Sequence, residues 1–111
     1  MSVADLLRTP KSPAEVADWT FQHDQDHKLI REIVRQRFSI DLPTYALDPF
    51  NPSDPGRWLY DHQTAHTDFD AVLGIQSSDL NDVDFKSTVE ADAWIWANYI
   101  EHQQAHAILE I

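Results

Sequence analysis

All six histidines of this 111-residue chain stand in three pairs of one spacing. His23 and His27 bracket "HDQDH", His62 and His66 "HQTAH", and His102 and His106 "HQQAH". Four residues is about one turn of α-helix, so each pair lies on one helical face. Two imidazoles one turn apart can bind one transition-metal ion, and a second helix can complete the ligand set. A zinc hydrolase would carry a glutamate inside the pair, as in H-E-x-x-H, but the inserts here are "DQD", "QTA" and "QQA". The inward Glu-x-x-His of carboxylate di-metal bundles is also missing, and nothing else marks a haem pocket.

The other use of such a stripe is structural. A neutral imidazole donates from one nitrogen and accepts at the other, so histidines at a bundle edge can tie the backbone of packed loops to helices. This structural reading is preferred, with no cofactor. It expects His23, His62 and His102 between the helices, and a chelator to leave helicity and melting temperature unchanged. Metal binding by His23, His27, His62, His66, His102 and His106 is the alternative. A third reading is a pH-responsive assembly element, since six imidazoles can charge together below neutral pH.

Elsewhere the chemistry is thin. In "DLNDVDFKSTVE" (79–90), Asp79, Asn81 and Glu90 match calcium-loop positions, but Val83 and Asp84 break the pattern. Asp79, Asp82 and Asp84 read better as turn formers and helix-start charges. The serines lie in caps and loops without a nucleophile elbow, no glycine-rich phosphate cradle occurs, and there is no cysteine. The chain reads as non-enzymatic.

The elements that would position the histidines are helices. "SPAE" (12–15) places Ser12 as N-cap with Pro13 at the first helical position, and "DPGRW" repeats the device with Asp54 and Pro55. "STVE" is a third capping box, from Ser87 or shifted by one residue. These signals predict helices over about 13–37, 55–73 and 88–109, a short one near 3–8, and Gly74 as a stop. Trp19, His23, His27, Ile30 and Val34 then align with Trp58, His62, His66, Phe69 and Leu73, and Asn98, His102, His106 and Leu109 follow in the third helix. The histidines therefore share the apolar side of each helix.

Composition agrees: 42% hydrophobic residues and only two glycines favour a single helical domain (1–111), all-α, a three-helix bundle with a short N-terminal helix and two long packed loops. The net charge of −11 argues against direct nucleic-acid binding. No apolar run is long enough to span a membrane, and "MSVADLLRTPKSP" lacks the pattern of a signal peptide. The loops 38–54 and 75–86 carry prolines and large apolar groups, so they should pack on the helices. Tyr45 and Phe50 in "YALDPFNP", with one of Trp94 and Trp96, are candidate contacts for another chain.

Taken in order, "W-x-F-x-H-x-x-x-H", "LPTYALDPFNPSDPGRWLYDHQTAH", "AVLGIQSSDLNDVDF" and "WIWANYIEHQQAHAILEI" resemble a group of small proteins encoded among the structural genes of tailed bacteriophages. The likeness runs from about residue 19 to the end, most distinctively in the histidine pairs, "LGI…DL..VD" and the terminal "LEI". The resemblance implies a virion-associated or assembly role with other virion proteins, capsid or portal, as partners. It implies synthesis in the host cytoplasm and incorporation into the virion, and it supplies no catalytic residues.

Overall fold

The computed structural model describes residues 3–51 and 53–111, and every regular element among them is helical. A 3-10 turn (Val3–Leu7) precedes α1 (Pro13–Phe38), α2 (Pro55–Leu73) and α3 (Thr88–Leu109). Each helix starts where its cap residue dictates. Ser12 accepts from Glu15 N at 3.2 Å, Asp54 from Arg57 N at 3.4 Å, and Ser87 from Glu90 N at 3.3 Å, which settles the third cap on Ser87. Gly74 ends α2 in the left-handed region at φ 72°, its N–H donating to Asp70 O. No helix among the described residues is long and apolar enough to cross a membrane.

The side chains between the helices form three layers. At one end Trp19, Trp58, Leu59, Trp94 and Ile95 pack with Leu47 and Leu80 from the two loops. At the other end Ile30, Val34, Phe69, Ala105 and Leu109 form an aliphatic layer. The histidines lie between, because His23 and His27 fall between Trp19 and Ile30 on α1, and His62 and His66 between Trp58 and Phe69 on α2. Burying a tryptophan removes roughly 150–250 Å² from water, about 4–6 kcal/mol of gross stabilisation each. The flanking layers thus supply the driving force that a polar layer lacks.

The two loops (39–54 and 75–87) pack down as their composition predicts, but the histidines do not hold them. Trp58 Nε1 donates to Leu47 O and Trp94 Nε1 to Leu80 O, both at 2.8 Å. Gln63 donates to Ser78 O and accepts from Leu80 N, and Ser78 N donates to Glu101. Indoles and a carboxamide reach out of the helices where an imidazole, shorter and turned inward, does not. Replacing Trp58 by Phe keeps a large ring but strands the Leu47 carbonyl. It is expected to cost about 1–3 kcal/mol in chemical denaturation; an unchanged midpoint would show that this staple carries nothing.

Three of the four aromatic contact candidates are committed to the fold. Trp94 is core. Tyr45 packs on the aromatic layer and donates to Asp68, and Phe50 sits edge-on to Trp58 and Phe85. Trp96 alone stands in solvent, 54% exposed, because two residues along a helix turn it about 200° from Trp94. Pro52, at the end of the candidate loop, lies outside the described residues.

Candidate metal centre

His23, His27, His62, His66 and His102 are all buried, and one ligand atom from each lies within 4.8 Å of every other. Their Nε2 atoms turn toward one another: His27 to His23 at 3.2 Å, His62 to His23 at 3.1 Å, and His66 to His102 at 3.2 Å. A Zn–N bond of about 2.0–2.1 Å places neighbouring nitrogens of a tetrahedral site about 3.3–3.4 Å apart, close to these spacings. Asn98 Oδ1 closes the aromatic side, 2.9 Å from His62 Nε2 and 3.2 Å from His23 Nε2. Trp19 stacks on His23 and Trp58 on His62, with ring planes 12° and 10° apart, which fixes both imidazoles.

Carboxylates hold the far nitrogens. His102 Nδ1 lies 2.5 Å from Asp26 Oδ2, and His66 Nδ1 lies 3.2 Å from Glu101 Oε1. A buried carboxylate on one nitrogen sets the tautomer and leaves the other as a bare acceptor. His66 Nε2 and His102 Nε2 therefore face each other at 3.2 Å, each ring backed by a carboxylate on its other nitrogen. Two imidazole nitrogens at that distance share a proton in a hydrogen bond or bind one metal ion between them. His23 Nδ1 and His62 Nδ1 are buried without a partner, as is Asn98 Nδ2, so this layer is not closed by protein hydrogen bonds. His106 stands outside the five; its Nε2 reaches Asp26 Oδ1 at 2.6 Å.

The electrostatics keep four of the rings uncharged. Burial, followed by the neighbouring imidazoles, lowers the pKa values of His23, His27, His62 and His66 well below the usual histidine value, so these rings are neutral at pH 7. Burial opposes ionisation of Asp26, but hydrogen bonds to His102 and His106 outweigh it and hold the carboxyl far below the usual range. Asp70 goes the other way. Burial, and then the hydrogen bond and charge of Glu101, push it up to about 8. A cavity of about 320 Å³ beside the aromatic layer is lined by Trp19, Trp58 and Trp94 and does not reach the histidines.

The histidine spacing thus brings five of the six imidazoles together and leaves His106 to brace Asp26. Sequence reasoning missed Asp26, Glu101 and Asp70, and placed Asn98 on the histidine face without giving it a contact. A partial signal exists, since Asp26 and Glu101 directly precede His27 and His102. Asp61 precedes His62 in the same way, however, and pairs with Arg57 at the surface instead. The calcium-loop acids act locally: Asp79 and Asp84 accept from the backbone N–H two residues on. Comparison with protein-family models, curated proteins and solved structures gives no match to the chain.

Proposed function

We propose that this protein is a metal-binding helical domain, a three-helix bundle whose central layer of His23, His27, His62, His66 and His102 holds a divalent transition-metal ion. The observation that carries the reading is the convergence of five buried imidazoles, with His66 Nε2 and His102 Nε2 facing each other and both Nδ1 atoms on buried carboxylates. An all-imidazole donor set suits Zn²⁺, Co²⁺, Ni²⁺ or Cu²⁺ and not Mg²⁺ or Ca²⁺, which take oxygen. The ligands are at most 2% exposed, the closed condition of sites that join helices and not of sites that turn over substrate. The ion's role is then to lock α1, α2 and α3 together.

Purified protein loaded with Co²⁺ should retain about one equivalent or more through desalting and show visible ligand-field absorption. Asp26→Asn, which keeps the shape and loses the charge behind His102, should weaken binding about 10–100-fold. Failure to retain either Co²⁺ or Zn²⁺ at micromolar protein would end the proposal.

A structural role against another chain, the role implied by the resemblance to phage proteins, has one supporting feature. Trp96 is exposed and lies 5.8 Å, centroid to centroid, from the Tyr99 ring. Trp96→Ala should leave helicity unchanged and reduce incorporation into particles several-fold. Equal incorporation would remove Trp96 from any such interface.

A further inference from the structure

Beside the imidazole centre, His66, Asp70 and Glu101 place one ligand atom each within 4.8 Å of the others, all three buried. His66 belongs to both groups: its Nε2 faces His102 and its Nδ1 faces Glu101. We propose that His66, Asp70 and Glu101 form a second cation site, so that the His66 ring bridges two ions. The inference rests on the metal-binding reading of the central layer and extends it from one ion to two.

Two carboxylates packed together out of water repel when both are charged, and they need either a proton or a metal ion between them. Their outward oxygens are already satisfied. Asp70 Oδ2 accepts from Ser77 Oγ at 2.8 Å, and Glu101 Oε2 from Ser78 N at 3.0 Å. Those contacts orient the pair and leave Asp70 Oδ1 buried with no donor from the protein, facing Glu101 across a position that a proton or a metal ion can fill. A second ion would take the place of that shared proton, in a buried group of metal-ligand type whose inner oxygen no protein donor reaches. Binding there releases two protons to solvent, the one between Asp70 and Glu101 and the Nδ1 proton of His66, giving an imidazolate with one nitrogen on each ion. The donor set of one nitrogen and two carboxylates is harder than the central one and suits Zn²⁺, Mn²⁺ or Fe²⁺, with Cu²⁺ usable as a probe.

The test is stoichiometry at neutral pH, by elemental analysis after Zn²⁺ loading of wild type and Asp70→Asn, each first checked for helicity. Two ions in wild type and one in D70N are expected. With Cu²⁺, the paramagnetic resonance signal should fall on adding the second equivalent to wild type, because an imidazolate bridge couples the two spins. One ion in wild type, with no loss of signal, overturns the second site and leaves the central one standing. No ion in wild type overturns both. If D70N does not fold, the wild-type count alone decides.

Discussion

Zn²⁺ at a thousandfold excess over its dissociation constant is expected to raise the melting temperature by roughly 15–30 °C. An ion that binds only the folded chain contributes about 4 kcal/mol at that excess, and a domain of this size gains roughly 4–8 °C per kcal/mol. The unfolded chain offers only isolated pairs, whereas the fold gathers five nitrogens within 4.8 Å. Chelation should reverse the shift. His62→Ala should abolish most of it, since His62 contacts both His23 and Asn98. The purely structural reading of the histidine stripe expects no shift with either zinc or chelator, so one thermal series separates the two. A change below about 3 °C would favour the structural reading.

Without metal, the fold should be lost as the pH drops from about 6.5 towards 4. His23, His27, His62 and His66 have folded-state pKa values well below the unfolded value near 6.5. Their stability is therefore fully present above pH 6.5. It is lost as pH falls, because the unfolded chain takes up protons that the native layer refuses. Asp70 acts in the opposite sense: raised to about 8, it carries a proton in the fold that an unfolded aspartate has released. In this window unfolding takes up as many as four protons on these histidines and gives up one from Asp70, a net of up to three. The slope is then up to about 4 kcal/mol per pH unit. Against a total stability of about 5–15 kcal/mol, the roughly 10 kcal/mol lost over this window removes most or all of it. Asn98, Glu101 and Asp26 face the layer without offering four compensating charges. Circular dichroism against pH checks this. A chain that keeps its helicity at pH 4 without metal would mean that the imidazoles are solvated or protonated in the fold.

How much of this was legible in the sequence follows the range of the forces involved. Caps and stops act over three or four residues, so Ser12, Asp54, Ser87 and Gly74 marked the helix ends within a residue or so. The burial of the stripe was also readable, since Trp19, Ile30, Trp58 and Phe69 share faces with the histidines. The direction in which each imidazole nitrogen turns was not. That depends on Asp26 of α1 meeting His102 of α3, 76 residues away, and on Glu101 meeting His66, 35 residues away. No local pattern separates Asp26 from Asp61, which has the same neighbour and a different fate. The loops were expected to hang on histidines and hang on tryptophans instead, because an indole N–H reaches past the helix surface.

The wide spacing of the three pairs along the chain also fixes an order of events during synthesis. The N-terminal part of a chain is made first, and contacts between distant residues form late. The four imidazoles of α1 and α2 emerge first and can collect as a partial, open set while α3 is still being made. His102 arrives with the carboxylate of Glu101, and Asp26 waits on α1 to receive it. Closure of the layer therefore coincides with docking of α3, and an ion would enter before that step or require α3 to lift. Exchange of a bound ion should accordingly be as slow as the opening of that helix, a kinetic trap set by the topology.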